Sequence, residues 1–517
     1  MKKIINLLLV LCMLLSCAAC SNQGQNSTII ANVDFEIGDT GGLKVPFGNG
    51  ELIEVVVTDE VGAENTYIFD KLSQVLGVNV KPVLIPVSTS EQKRATILAS
   101  GDLPDIISLS AIKANEFARQ GAFEPVTPYM KELPNILKYF GENGKYSWVP
   151  KSYAGDDGNL YMLPLVDSNR VVNHGMLYRK DIFDKHGIKM WNSPESFYQA
   201  LKKLKELYPD SYPLTSKTGK NLVANYSVAW GGFINYDMYF DEIDSKWKYA
   251  DTTKETKEML DFFHKLYKEK LLDPEFLTNT QPAWTTKMTN GKSFVTYDWI
   301  GRLDMFMEQS NIDGYDLRYG NPVGPRQTLV ALSQVEEGGL CIAKGKNSLL
   351  AMKVVDFWYS KAGAEMMTLG IKGENYDIDE NGNIVYLDSE LRGKDKIDIM
   401  DLRSKYCMWM AGSYRTTDKR SCYYNYSERE QEAQDWVDKC AGIETADPVL
   451  TFKGNDMSKV TDLRIALSKK FEEVMFKYII GQETGDAAWE KWLKEAKKLG
   501  EDELVEIYNR RHKELGL

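Results

Sequence analysis

Along the chain the spacing of apolar residues changes several times, and each change marks an element. Leu52 to Thr58 is an almost unbroken β-branched run, the composition of a buried strand. Asn65 to Leu76 then carries Ile68, Phe69, Leu72 and Leu76 at helical spacing. Val78 to Val87 reads as a second strand, Glu91 to Ser100 as a second helix and Asp105 to Leu109 as a third strand. Strand, helix, strand, helix, strand implies right-handed parallel crossovers in an open α/β sheet. Ligands of such sheets bind beyond the carboxyl ends of the strands, so Ser108 to Lys113 is a candidate ligand loop, with Ser110 on it.

Further along, Ser193-Pro194-Glu195 is a helix start, with Ser as cap, Pro in the first turn and an acid at the positive end of the dipole. That helix runs to about Leu207 and stops at Pro209. Thr252 and Glu255 form a capping box ahead of Met259, Phe262, Phe263 and Leu266 on one face. Met457 to Ile480, Ala487 to Lys498 and Glu501 to Leu515 are three closing helices. Asp157-Gly158 and Asn381-Gly382 each have tight-turn chemistry between flanking tyrosines, which predicts two hairpins. Asp377, Asp379, Asn381, Gly382 and Asp388 also reproduce part of a calcium-loop spacing. The last ligand position carries Asp where Glu is expected, and the flanks look like strands, so the hairpin is the preferred reading.

The chain begins with Lys2 and Lys3, a short apolar stretch from Ile4 to Leu15, and then Ser16-Cys17-Ala18-Ala19-Cys20. This is the layout of a secretory signal over residues 1–19, too short to span a bilayer. Ala18-Ala19-Cys20 resembles the end of a bacterial lipoprotein box, which makes Cys20 the lipidated residue and places the protein on the extracytoplasmic face of the cell membrane. Residues 20–48 are polar and rich in Gly, Asn and Ser, the composition of a flexible tether spanning on the order of 30 Å as a coil.

Composition narrows the function. The net charge is −11, and −13 without Lys2 and Lys3, so phosphate backbones are repelled and nucleic-acid binding is excluded. Four histidines out of ligand spacing, no nucleophile elbow and no complete phosphate loop leave the common enzyme motifs absent. A pair of catalytic acids needs only closeness in space, so a surface glycoside hydrolase stays open as an alternative. Cys341, Cys407, Cys422 and Cys440 allow three pairings or none, and the spacing does not choose.

Several blocks, in order, resemble the extracellular solute-binding proteins of carbohydrate ABC importers, the maltodextrin-binding-protein-like branch and its long Firmicute lipoprotein subgroup. They are Ser100-Gly101-Asp102-Leu103-Pro104-Asp105-Ile106-Ile107, Asp157-Gly158-Asn159-Leu160-Tyr161-Met162-Leu163-Pro164, Leu177-Tyr178-Arg179-Lys180-Asp181, Ser193-Pro194-Glu195-Ser196-Phe197, and Phe357-Trp358-Tyr359-Ser360 with Gly363. The resemblance implies an α/β, two-lobed periplasmic-binding-protein-like fold with a central hinge and an interlobe cleft. By analogy residues 49–166 and 334–375 form lobe 1, and 167–333 and 376–517 form lobe 2. It implies a non-catalytic monomer that binds an oligosaccharide and presents it to ABC permease subunits, with no cofactor. Some relatives carry a calcium loop after the helix that here ends near Pro209; Ser211-Tyr212-Pro213 stands there instead, so no metal is transferred.

The same resemblance supplies site candidates. A sugar ring offers apolar faces to aromatic side chains and hydroxyl edges to polar ones, so such sites are mostly apolar with a few placed polar groups. Trp299, with Asp298, is the expected stacking platform, and Trp230 matches another cleft loop. Asp167 and Asn169 follow the first crossing. Trp409, Tyr414 and Arg415 belong to the region particular to the long subgroup. Trp358 and Trp436 are expected in the core. A non-sugar solute such as a peptide is the remaining alternative ligand.

Overall fold

The structure is a computed structural model describing residues 33–59, 65–232, 238–241, 244–394, 396–440, 442–444 and 449–517. The opening pattern folds as its periodicity predicts. Strand Leu52–Asp59, helix Tyr67–Leu76, strand Asn79–Pro86, helix Ser90–Ser100 and strand Ile106–Ser110 follow in order. The strand Leu52–Asp59 pairs in parallel with both of the other two. Strand Val335–Ile342 then pairs antiparallel with Ile106–Ser110 on one side and with Leu163–Val166 on the other, completing five strands.

A second sheet is built differently. His174–Arg179 lies between Val295–Trp299 and Leu317–Gly320 and is antiparallel to both. Each sheet has its own core. Ile53, Val55, Val57, Phe69, Ile106, Ile107, Leu340 and Trp358 are among the buried residues of the first. Trp191, Phe197, Phe263, Phe294 and Val295 belong to the second, where the closing helices Gly454–Ile479, Gly485–Lys498 and Glu501–Leu515 add Leu467, Phe471, Trp492 and Leu504. The chain therefore forms two α/β halves of the periplasmic-binding-protein type.

Three segments cross between the halves. Residues 167–173 join Leu163–Val166 to His174–Arg179, and residues 321–334 join Leu317–Gly320 to Val335–Ile342. They are tied side by side: Asp167 N donates to Gln334 O at 2.9 Å, Leu332 N to Val171 O at 2.8 Å, and Asn169 Nδ2 to Ser333 O at 2.8 Å. A third stretch, 411–427, runs along them, with Tyr424 Oη donating to Ser168 O at 2.6 Å and Arg170 Nη2 to Tyr423 O at 2.8 Å.

Four expectations change. Residues 33–48, assigned to the tether, lie against the first core: Leu43 is buried, and Val33, Phe35, Ile37, Val45 and Phe47 pack beside it. Their alternation at every second residue is the signal that a reading by composition misses. Residues 376–410, expected in lobe 2, place Tyr376, Tyr386, Leu402, Met408 and Trp409 in the first core instead. Asp157-Gly158 makes a turn without strands, because the short helix Val149–Tyr153 precedes it. There Gly158 takes a left-handed φ of 79° and Tyr161 Oη donates to Asp157 Oδ2 at 2.7 Å. The cap of helix Lys254–Lys268 is Thr253, not Thr252, whose hydroxyl donates to Glu501 Oε1 at 2.6 Å instead.

Other elements match closely. Ser193 caps helix Pro194–Leu207 in a reciprocal box with Ser196. Tyr376–Ile378 and Ile384–Tyr386 pair as the expected hairpin. Within it the Asp379 carboxylate accepts from the backbone N–H groups of Asn381 and Asn383, and no group of three or more metal-ligating side chains occurs among the described residues. All four described cysteines are free thiols.

Candidate functional site

Topology decides which edge of each sheet the crossings join. The carboxyl ends of Leu52–Asp59 and Ile106–Ser110 lie on the edge where Val335 pairs with Val166, which is the edge the crossings leave from. On the second sheet the crossings arrive at His174, which pairs with Trp299 at the last position of its strand. Ser110, Val166 and Val335 are thus on one rim, and His174 and Trp299 on the other.

The second rim holds an open aromatic platform. Trp299 is 47% exposed, while Val295 and Thr296 on the same strand are fully buried. His174 meets the indole edge-on, with centroids 6.0 Å apart. Burial pulls the His174 imidazole below its ordinary pKa, opposed by the nearby Asp298 carboxylate. Asp298 is 5% exposed and its Oδ1 accepts from the Trp299 N–H at 2.7 Å, which fixes the platform's backbone. The same carboxylate faces Arg302 Nε at 3.6 Å and Lys217 Nζ at 3.8 Å. Lys217 reaches this place because Leu214 bridges Val295 in parallel, so the chain two or three residues on runs beside Asp298. Sequence reading missed Lys217, Arg302 and His174; the pairing of Leu214 with Val295, a single bridge, leaves no periodic trace.

The first rim is more closed. Ser110 is exposed, but it ends its strand and caps helix Ala111–Arg119 directly, accepting from Lys113 N at 3.4 Å, so no loop intervenes. Glu336, also missed, is solvent-accessible yet crowded enough that desolvation raises its carboxyl pKa, partly offset by Arg415. Arg415 itself is buried, giving Nη1 to Leu163 O at 3.0 Å and Nε to the Tyr414 carbonyl at 2.5 Å. Tyr414 is half-buried against Trp409, 5.3 Å away, and burial pushes its hydroxyl up to about 12.

The remaining candidates are internal. Trp409 is 4% exposed and donates its indole N–H to Thr368 O at 2.6 Å, so it is a core residue of the first half. Trp230 is 7% exposed beside Phe262, and its indole N–H has no hydrogen-bond partner among the described residues. Asp167 and Asn169 lie in the crossing. Asp167 has a left-handed φ of 52°, and its Oδ1 accepts from Lys145 Nζ at 2.6 Å and from the Tyr146 hydroxyl. Trp358 is fully buried and Trp436 only partly. Cys20 and Phe233 lie outside the described residues.

Two α/β halves joined by three crossings, with an exposed indole at the edge the crossings reach, define a two-lobed fold of the binding-protein class. Residues 59–365 match the model of the bacterial extracellular solute-binding proteins, and the chain belongs to that family. Members are binding proteins, not enzymes. The chain is 23% identical to lipoprotein LipO of Bacillus subtilis over 63% of its length and 67% of the relative's. It is 20% identical to the polygalacturonan/rhamnogalacturonan-binding protein YtcQ of the same organism, over 83% and 84%. Among solved structures, the Streptococcus pneumoniae ABC-transporter substrate-binding protein FusA in complex with kestose superposes with a TM-score of 0.64 at 18% identity, covering 90% of this chain and 99% of that one. The family gives the protein the role of an extracellular solute-binding protein.

Proposed function

We propose that this protein is the lipid-anchored receptor for an oligosaccharide, held between the two rims with a sugar ring stacked on Trp299. The observation that carries the reading is the exposure of Trp299 at the end of a strand whose preceding residues are buried. An indole left in water at the mouth of a crossing, with its backbone pinned by Asp298, is a ready surface for a pyranose face. Hydroxyl-bonding groups around it add selectivity, since a site group left unpaired costs about 1–3 kcal/mol.

In this reading lobe 1 comprises residues 33–166 and 335–410, lobe 2 comprises 174–320 and 428–517, and the three crossings are the hinge. Closure bends 167–173, 321–334 and 411–427 together, because they are hydrogen-bonded to one another. The closed monomer presents both lobes to permease subunits, and Cys20 carries the lipid that holds it at the outer face of the membrane. Titration calorimetry against an oligosaccharide panel tests the ligand. Binding that Trp299→Ala weakens is expected; binding of peptides and of no sugar overturns the reading. Loss of metabolic acyl labelling in Cys20→Ser tests the anchor.

A further inference from the structure

The surroundings of Trp299 carry more positive charge than a neutral sugar requires. Lys217 Nζ lies 5.7 Å and the Arg302 guanidinium 5.5 Å from the Trp299 ring centre. The same two groups lie 5.8 and 5.5 Å from the ring of Trp284, which is fully buried. Both cations therefore lie beside two indoles, the buried Trp284 and the exposed Trp299. Among the described residues Asp298 is the one carboxylate within 4 Å of either, at 3.6 and 3.8 Å, so two cations face one anion there. Neither separation is short enough for a hydrogen bond. Arg302 is nine-tenths buried, and among the described residues its Nε has no hydrogen-bond partner while its Nη1 reaches only Met305 Sδ at 3.5 Å. Lys217 makes no hydrogen bond within the described residues, and its side chain is 24% exposed, enough for the ammonium to meet a ligand.

The chain as a whole is strongly acidic, so it does not gather anions by its net field. A local excess of cation at the edge of an open platform is then a device of the site itself. A pyranose lying on an indole directs the substituent on its C5 carbon outward past the ring edge. In a neutral hexose that substituent is a hydroxymethyl group, which offers an ammonium only a neutral acceptor. In a uronate it is a carboxylate, which offers an ionised acceptor that pairs with the ammonium's charge as well.

We propose that Lys217 binds a ligand carboxylate beside Trp299, and that the sugar taken here is an acidic oligosaccharide containing uronate residues. This inference rests on the oligosaccharide reading above. It is tested by titration calorimetry of the full chain with trimers of galacturonate, glucuronate and mannuronate and with their carboxyl-reduced counterparts. At least one acidic trimer is expected to bind about tenfold or more tightly than its reduced form. Lys217→Gln lowers affinity for the acidic trimer at least about fivefold more than affinity for the reduced trimer, and Lys217→Arg restores most of the preference. Equal affinity for acidic and reduced forms, or a Lys217→Gln loss shared by both, overturns the proposal. Binding of neutral oligosaccharides alone overturns the acidic class and leaves the receptor reading standing. Binding of a peptide with no saccharide binding at all overturns both.

Discussion

The two halves treat their aromatic and charged candidates in opposite ways. In the first, Trp409, Tyr414 and Arg415 are folded inward, with the Trp409 indole N–H and the Arg415 guanidinium bonded to backbone carbonyls. In the second, Trp299 stands in solvent, and behind it Arg302 Nε is buried with no hydrogen-bond partner among the described residues. In the proposed function the contrast separates a wall that is mainly scaffold from a wall that reads the ligand.

Breaking the scaffold has the largest effect. Trp409→Ala removes a buried ring and its bond to Thr368, and is expected to cost about 3–5 kcal/mol in urea unfolding. Affinity of the folded fraction should be little changed; a selective loss of binding at full stability would move Trp409 to the reading wall.

Asp356 tests how the first half is clasped. Its buried carboxylate accepts from Asn135 Nδ2 at 3.0 Å and Ile136 N at 2.8 Å, and Asn135 also donates to Thr40 O of the N-terminal strap. Asp356→Ala strands those donors and should cost about 2–3 kcal/mol. Burial raises the Asp356 pKa from its ordinary 3.8 to about 6, against the pull of the two donors. A carboxyl more easily protonated when folded takes up its proton on folding. Stability of the wild type relative to Asp356→Asn therefore falls as pH rises from about 4 to about 6, and then levels off. A difference that does not change with pH would show that the group stays ionised throughout.

Trp299→Ala acts on the other wall. Nearly half of the ring is already in water, so the stability change should stay within about 0.5 kcal/mol. Sugar affinity should fall about 10–100-fold, the loss of one aromatic contact face. An unchanged affinity would remove the platform and with it the comparison between the walls.

What the sequence disclosed follows the same division. The first half opens on five elements close together in the chain, each with a clear period, and they were legible to within a residue or two. The second sheet gathers His174–Arg179, Val295–Trp299 and Leu317–Gly320 from distant segments, and no local pattern records such pairing. Trp299 was reached through the resemblance, whereas Lys217 and Glu336 owe their places to long-range register and were invisible. The strap 33–48 was misread because small polar residues mask its alternation. Residues 376–410 were misassigned because their neighbours in sequence cross to the other half.

Asp167 is where the smallest effect separates two roles for one residue. Lys145 and Tyr146 both hold one oxygen of this carboxylate, Oδ1, and its backbone is bonded to Gln334 and Lys419, which ties the residue to the crossing. Its left-handed φ costs of order 1 kcal/mol for most residues, less for Asp and Asn, which tolerate that region. Asp167→Asn keeps the backbone conformation and an acceptor for Tyr146 while removing the charge that pairs with the half-exposed Lys145. Screening by water limits such a pair, so a loss below about 1 kcal/mol in thermal unfolding is expected. Sugar affinity should change less than about threefold. A tenfold loss of affinity with unaltered stability would return Asp167 from the hinge to the ligand, and the first half would then hold a reading residue of its own.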